Sequence, residues 1–186
     1  MRVIAGSLKG RRLHAPTWDG LRPTSDKLRE TIFNILAPRI AGARVLDAYA
    51  GTGALGIEAI SRGAAAVTFV ERDRRAQALV EENLRHCGIA DGYVIIRASV
   101  EQALDELRDR SAADRFDVAL LDPPYELSRG GIAGVLDAAG QVMSEGGILV
   151  LEHARRQLAP AVADGLVRTR EVIAGDSALA FYACQP

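Results

Sequence analysis

The sequence lacks the long apolar runs and the leader that mark membrane and secreted proteins. No stretch approaches the roughly 18 consecutive apolar residues of a membrane-spanning helix. The first residues, MRVIAGSLKGRRL, contain no apolar segment followed by a small-residue cleavage site, so they do not have the form of a secretory signal. We therefore expect a cytoplasmic protein that makes no membrane contact.

Cysteine is also scarce, which argues against a fold held together by disulfides or by structural zinc. The chain has two cysteines, Cys87 and Cys184, and three histidines, with no Cys-x-x-Cys pair and no Cys/His cluster. We interpret both cysteines as small apolar core residues and predict no metal site.

The rest of the composition is that of one folded domain. The chain has 186 residues, of which 48% are hydrophobic and 25% are charged. These values are ordinary for a globular protein and argue against disorder. The length is sufficient for one main core with a small appendage.

Charge is distributed unevenly along the chain. Residues 1–44 carry nine Lys and Arg against three Asp and Glu, a net charge of +6, so the other 142 residues carry −7. A basic N-terminal segment on an otherwise acidic protein predicts contact with a polyanion such as nucleic acid. Contacts to phosphate supply affinity but do not choose a base. The candidate phosphate-binding residues are Arg2, Lys9, Arg11, Arg12 and Arg22.

Short apolar runs alternate with helical segments from residue 41 onwards. This order predicts an α/β, Rossmann-like domain with a mainly parallel seven-stranded sheet that ends in an antiparallel hairpin. The hairpin strands are predicted at Val167–Ala174 and Ala178–Cys184, joined by a turn at Gly175 and Asp176. The other predicted strands are Arg44–Ala48, Ala66–Glu71, Tyr93–Arg97, Asp117–Leu121 and Ile148–Glu152, and the predicted helices are Ala54–Arg62, Arg74–Cys87, Val100–Asp109 and Gly131–Val142.

Residues 1–40 form a second predicted unit, a small basic extension ahead of the domain at residues 41–186. We expect a short strand pair at Arg2–Ala5 and Arg11–His14, followed by a loop and one helix. The helix is predicted from Ser25 to Leu36, with Thr24 or Ser25 as its N-cap and Pro38 ending it.

A glycine-rich turn follows the first strand of the predicted domain. In VLDAYAGTGALGIEA, Gly51, Gly53 and Gly56 lie where strand gives way to helix, so a ligand can approach the backbone without a Cβ in the way. The same spacing also occurs in dinucleotide-binding enzymes. The turn alone therefore leaves the cofactor open.

Two carboxylates favour S-adenosylmethionine over a dinucleotide. Glu71, at the tip of the second strand, can accept both hydroxyls of an adenosine ribose. Asp47, close to the glycines, disfavours a pyrophosphate but suits an ammonium group. Ser99, after the third strand, is a candidate for the adenine amine. Helix capping is the alternative role for Asp47 and Glu71. The predicted cofactor-binding residues are Asp47, Tyr49, Gly51, Gly53, Glu71, Arg72, Ser99 and Asp122.

The fourth strand runs directly into Asp122, Pro123, Pro124 and Tyr125, at the edge where open α/β sheets bind ligands. The prolines stiffen the loop, so that the Asp122 side chain and the Pro123 carbonyl can act as a fixed pair of acceptors. Such a pair suits an sp² amino group, and Tyr125 can stack on a flipped or unpaired base. We predict these four residues as the catalytic set, acting through positioning and electrostatics.

The order of these motifs resembles the class I S-adenosylmethionine-dependent amino-methyltransferases. More narrowly, MRVIAGSLKGRRL, LRPTSDKLRETIFNIL, VLDAYAGTGALGIEAISRGA and LLDPPY are similar to the bacterial 16S ribosomal RNA guanine-N2 methyltransferases. The resemblance implies methyl transfer to the 2-amino group of one guanine in 16S rRNA, within a small-subunit particle, by a monomer. It also implies that the basic N-terminal segment touches RNA, with Arg29 among the contacts, and that Arg22-Pro23-Thr24 and Arg29-Glu30 lie near the pocket.

Four alternatives remain open from the residues alone. Asp-Pro-Pro-Tyr suits adenine-N6 or cytosine-N4 of DNA or RNA equally well, although a DNA enzyme usually needs an added recognition region. A protein glutamine methyltransferase usually has Asn in place of Asp122. A non-enzymatic RNA-binding assembly factor would retain a vestigial cofactor pocket, and a dehydrogenase would leave the Asp-Pro-Pro-Tyr segment without a role.

Overall fold

A twisted sheet forms the centre of the computed structural model, which describes residues 1–18, 24–109, 111–124, 127, 129–163 and 165–185. The helices are α1 (Asp26–Ile40), α2 (Ala54–Ser61), α3 (Arg74–His86), α4 (Val100–Arg108) and α5 (Arg129–Gly140), with a short 3₁₀ turn at Ala112–Asp114. The strands are β1 (Arg44–Ala48), β2 (Ala66–Val70), β3 (Tyr93–Ile96), β4 (Phe116–Leu121), β5 (Met143–Ala154), β6 (Val162–Ala163), β7 (Leu166–Ala174) and β8 (Ser177–Cys184).

The strands lie in the order β3-β2-β1-β4-β5-β8-β7-β6. Strands β1 to β5 are parallel, and β8 runs antiparallel to both β5 and β7. The mainly parallel sheet and its antiparallel hairpin are therefore confirmed. The predicted strand number is wrong by one, because β6 has two residues and is too short to show an alternating pattern.

Helices cover both faces of the sheet. One face, which we call the α1 face, packs Phe33 of α1, Ile57 of α2 and Leu84 of α3 against alternate strand residues such as Val45. The opposite face packs α4 and α5 against the remaining strand residues, among them Leu121. None of the helices in the described part of the chain has the length and hydrophobicity to span a membrane.

Helix α1 begins as predicted and ends later. Ser25 is its N-cap, with the Ser25 hydroxyl accepting from the Leu28 amide at 3.2 Å. The prediction that Pro38 ends the helix is wrong. Proline removes one amide donor from the last turn, but the turn is retained because Ile40 is 1% exposed and belongs to the core of the α1 face.

The predicted strand pair in the first 14 residues is shorter than expected. Arg2 and Arg12 form one antiparallel bridge, and Val3 donates to the Arg11 carbonyl at 2.9 Å. The next amides, at residues 4 and 5, bind the carboxylate of Glu58 on α2 at 2.7 and 3.0 Å instead of a partner strand. Residues 1–14, which we call the basic arm, are thus held on the α1 face by a buried side chain.

Candidate active site

The predicted site residues come together at the carboxyl edge of the parallel strands. Asp47 lies near the end of β1, Glu71 directly follows β2, and Asp122 directly follows β4. Strand β1 lies between β2 and β4 in the sheet, so all three carboxylates surround one crevice. Burial raises the pKa of Asp47, and the negative charges of Asp122 and Glu71 raise it further, as expected for carboxylates at neighbouring strand ends.

The turn from β1 to α2 uses backbone conformations that most residues avoid. Gly51 and Gly53 have φ values of 55° and 75°, and Tyr49 adopts a φ of 64° although it has a side chain. Gly53 is also the N-cap of α2, so the amides of the first helical turn face the crevice mouth. Left-handed non-glycine residues cost free energy and cluster at functional sites, so the conformation of Tyr49 makes this turn a candidate ligand-binding element.

Glu71 holds the glycine turn in place. Its Oε2 accepts from the Gly51 amide at 2.9 Å, and its Oε1 accepts from the Asp73 amide at 2.8 Å. Each carboxylate oxygen has capacity for a further hydrogen bond. Glu71 therefore both shapes the turn and keeps acceptors available to a ligand at the tip of β2.

Asp47 is wholly buried beneath the same turn. Its Oδ2 accepts from the Gly56 amide at 2.8 Å, while its Oδ1 is buried and has no hydrogen-bond partner among the described residues. Burial raises the pKa of Asp47 well above its ordinary value; the Gly56 hydrogen bond opposes this, and the negative charges of Asp122 and Glu71 add to it. Asp47 therefore caps the first turn of α2, which is the alternative role considered for it, and its Oδ1 also offers a buried acceptor at the crevice.

Three predicted cofactor residues have different surroundings. Ser99 is the N-cap of α4, and its hydroxyl accepts from the Gln102 amide at 3.3 Å in a capping box. Its hydroxyl proton remains a donor, and the oxygen has a second lone pair. Arg72 is exposed beside Glu71. The hydroxyl of Tyr49 is buried and has no hydrogen-bond partner within the residues that the structure describes, and burial raises the pKa of Tyr49.

Asp122 is fixed from across the molecule. Its Oδ2 accepts from the hydroxyl of Thr24 at 2.9 Å, which brings the start of α1 to the end of β4. Pro123 is buried and Pro124 is exposed, and the Pro124 carbonyl accepts from the Leu127 amide at 2.9 Å. The predicted stacking residue, Tyr125, lies outside the described residues.

The basic arm is attached to the glycine turn as well as to α2. Asn83 of α3 accepts from the His14 amide at 2.7 Å and donates to the carbonyls of His14 and Thr52 at 3.2 and 2.9 Å. Ser61 of α2 donates to the Ala5 carbonyl at 2.5 Å. Because Thr52 lies inside the glycine turn, the buried side-chain amide of Asn83 joins the basic arm to this turn.

The predicted RNA contacts divide into accessible and inaccessible residues. Arg2, Lys9 and Arg12 are exposed, whereas Arg11 is exposed but donates to the Cys87 carbonyl at 2.9 Å. Arg29 is 0% exposed, so a direct contact with RNA is not available to it in this structure, and in that respect the prediction is corrected. Arg22 lies outside the described residues.

The buried guanidinium of Arg29 has a structural role. Its Nη2 donates to the Arg2 carbonyl and to the Asp26 carboxylate, each at 2.6 Å. It thereby joins the basic arm to the first turn of α1. No local pattern in the sequence indicates this contact, because the apolar stripe of α1 predicts that a charged residue faces solvent.

A cleft of about 400 Å³ opens beside this junction. It has two arginine side chains on its walls together with apolar and acidic groups. It therefore places positive charge next to the start of α1, on the side of the molecule that carries Thr24 and Asp122. The lining residues are Met1, Arg2, Arg12, Leu13 and Asp26.

Comparison with known proteins agrees with this architecture. The family model described as "Conserved hypothetical protein 95" matches residues 1–183. The chain belongs to this family. A Bacillus subtilis relative with the provisional name rRNA methyltransferase YlbH is 39% identical over 182 residues, covering 98% of each chain. The Escherichia coli K12 protein named Ribosomal RNA small subunit methyltransferase D is 35% identical, covering 98% of this chain and 89% of its own.

Solved structures give the same relationship. The Escherichia coli protein yhhF, provisionally described as a methyltransferase, superposes with a TM-score of 0.84 at 29% identity, covering 100% of this chain and 98% of its own. The resemblance drawn from the sequence is confirmed at the level of the family, and the fold is that of a class I methyltransferase. The base, the amine and the role of each site residue stay predictions.

Proposed function

We propose that this protein transfers a methyl group from S-adenosylmethionine to the exocyclic N2 amine of a guanine in 16S ribosomal RNA. The observation that carries the proposal is the position of Asp122, which ends β4 beside the cofactor turn and is held there by Thr24 at 2.9 Å. Relatives over nearly the whole chain are named as ribosomal RNA methyltransferases, one of them of the small subunit. The name gives no base, so the guanine N2 assignment rests on the sequence resemblance.

The crevice fits the cofactor. In the described part of the chain, Asp47 Oδ1 is a buried acceptor with no hydrogen-bond partner. It lies in the negative field of Asp122 and Glu71, so a positive group nearby would lower the free-energy cost of this arrangement. The left-handed turn at Gly51 and Gly53 lets a ligand approach the backbone at the N-terminus of α2. Glu71 is placed for ribose hydroxyls. S-adenosylmethionine, when bound, supplies a methyl group on a sulfonium.

The residues at the end of β4 act on the amine. An exocyclic amine has its lone pair delocalised into the ring, so it needs to be oriented more than it needs a strong base. Asp122 and the Pro123 carbonyl accept its N–H groups and turn the nitrogen lone pair towards the methyl carbon. As the nitrogen–carbon bond forms and the carbon–sulfur bond breaks, the nitrogen becomes cationic and acidic. A carboxylate such as Asp122 is then sufficient to receive its proton.

The basic arm provides the RNA-binding surface in this proposal. Arg2 and Arg12 line the cleft next to α1, and Lys9 is exposed on the same arm. These groups bind phosphates without reading bases. We propose that residues 1–40 form the RNA-contacting extension, residues 41–186 the catalytic domain, and that a cytoplasmic monomer acts on a small-subunit particle.

The test uses ribosomes that lack the modification. Small-subunit particles and naked 16S rRNA from a strain deleted for the corresponding gene are incubated with the protein and S-adenosylmethionine carrying a tritiated methyl group. We expect label in 16S rRNA at one position that mass mapping locates, with particles labelled faster than naked RNA. Label confined to a glutamine of a ribosomal protein, or found only in DNA supplied in a parallel reaction, would overturn the proposal in favour of one of the alternative amino-methyltransferases. Cofactor binding without any transfer would favour a non-enzymatic RNA-binding factor.

A further inference from the structure

A second carboxylate lies beside Asp122 at the same edge of the sheet. Glu152 is near the end of β5, the strand next to β4, and is 7% exposed. Leu121, the last residue of β4, is in register with Leu151 of β5, so Asp122 and Glu152 come next on their two strands. Neighbouring strands lie about 4.8 Å apart, which sets the spacing of the two backbones.

Both side chains project from the α1 face. Val150 belongs to the core of that face and Leu151 to the core of the other, so the alternation of β5 places Glu152 on the α1 face. Leu179 of β8, which is opposite Glu152 in the sheet, belongs to the same core. Thr24 reaches Asp122 from the start of α1, which places Asp122 on this face too.

Glu152 has no part in the methyl-transfer chemistry described above, yet its carboxylate is nearly removed from water. Burying a carboxylate is costly unless donors meet it. Glu152 makes a polar or electrostatic contact in the free protein, so a bound base would add to that contact or replace it. Its position beside the amine acceptor, at a ligand-binding edge, gives it access to the atom next to the amine.

That neighbouring atom distinguishes guanine from the other bases with amines. In guanine one of the two ring nitrogens beside the 2-amino group, N1, carries a hydrogen, so N1 and N2 form a pair of adjacent donors. In adenine and cytosine the ring nitrogen beside the amine is an acceptor. A carboxylate next to the amine-holding carboxylate therefore attracts guanine and repels adenine and cytosine.

We propose that Glu152 is the specificity-determining residue that accepts the N1–H of the target guanine while Asp122 holds the N2 amine. This inference rests on the proposed function and deepens it, because Asp122 and Pro123 select an amino group but not a base. A site built to accept a substrate hydrogen disfavours an analogue that presents a lone pair at that atom, because the carboxylate and the lone pair then repel each other. Guanine specificity thus arises from two adjacent strand ends.

The test replaces the target guanine with 2-aminopurine, which keeps the 2-amino group but has an acceptor at N1. The position is the one located by mass mapping, and the modified RNA is assembled by ligation into 16S rRNA. The wild-type protein should methylate guanine at least about 100-fold faster than 2-aminopurine. Equal rates on the two bases would overturn the inference without the need for any variant.

The second part of the test uses Glu152→Gln, because the amide of glutamine can donate to N1 of 2-aminopurine. We expect its preference for guanine over 2-aminopurine to fall at least about 10-fold from the wild-type ratio, with S-adenosylmethionine affinity unchanged within twofold. Glu145→Gln, an exposed position on the same strand, is the matched control and should keep the wild-type ratio. An unchanged ratio in Glu152→Gln contradicts the inference alone, whereas a wild-type protein that leaves the guanine N2 unmethylated contradicts the proposed function.

Discussion

At the carboxyl edge of the sheet, the residues proposed to bind the cofactor and those proposed to bind the amine differ in how far along the chain their hydrogen-bond partners lie. On the cofactor side, Asp47 and Glu71 accept hydrogen bonds from amides 9 and 20 residues away. On the amine side, Asp122 accepts from Thr24, which is 98 residues away. The cofactor side is thus a local strand–turn–helix device, while the amine side needs the segment before α1 to be docked. Cofactor binding and methyl transfer should therefore be separable by mutation.

The largest expected effect is at Asp122. Asp122→Ala removes the carboxylate that holds the amine, and we expect methyl transfer to fall by at least about 100-fold, as for loss of one transition-state contact. The cofactor turn does not depend on this side chain, so calorimetry should show S-adenosylmethionine affinity within a few-fold of wild type. Asp91→Ala, an exposed carboxylate before β3, is the control. Normal turnover in Asp122→Ala would show that the amine is held elsewhere.

The converse change is on the cofactor side. Glu71→Ala leaves the amides of Gly51 and Asp73 without their acceptor, and hydrogen bonds to charged groups contribute about 1.5–3 kcal/mol. We expect S-adenosylmethionine affinity to fall about 10- to 100-fold in calorimetry, with RNA affinity unchanged. Glu106→Ala, on the exposed side of α4, should bind the cofactor normally. Equal losses in both variants would mean that Glu71 has no specific role.

A smaller effect is expected on the RNA-binding surface. Replacing both Arg2 and Arg12 by Ala should weaken RNA binding and lower the slope of log affinity against log salt by about 1 for each arginine. Arg97→Ala with Arg108→Ala is the matched pair, since neither residue lies in the basic arm or on the cleft beside it. Filter binding at several salt concentrations measures both slopes. If the control pair shows the larger change, the RNA path lies elsewhere on the molecule.

The smallest effect concerns Asp47 and stability. Its pKa is raised in the folded protein, so the unfolded chain loses its proton first and the folded state loses stability as pH rises above the ordinary value of 3.8. Asp47→Asn keeps an acceptor for Gly56 and carries no charge. We expect its melting temperature to exceed that of wild type at pH 8, with the difference shrinking towards pH 4, while S-adenosylmethionine affinity falls. A difference that does not vary with pH would contradict the assigned ionisation.

The same contrast explains how far the sequence could be used to predict the structure. Helix α3 was predicted within one residue because its apolar stripe and its glycine stop are local signals. The glycine turn and its two carboxylates were found because their spacing is short. Glu58, Asn83 and the buried Arg29 were missed as anchors of the basic arm, since their partners lie 27 to 69 residues away and leave no periodic pattern. Glu152 was predicted only as the end of a strand, because its proposed contact with guanine depends on Asp122 at the end of the neighbouring strand β4.

The most direct test of the account is the identity of the modified nucleoside. After reaction of the wild-type protein with small-subunit particles from the deletion strain, the RNA is digested to nucleosides and analysed by mass spectrometry against standards. We expect N2-methylguanosine with the wild-type protein and almost none with Asp122→Ala. N6-methyladenosine or N4-methylcytidine in its place would contradict the central claim that the edge formed by β4 and β5 holds a guanine.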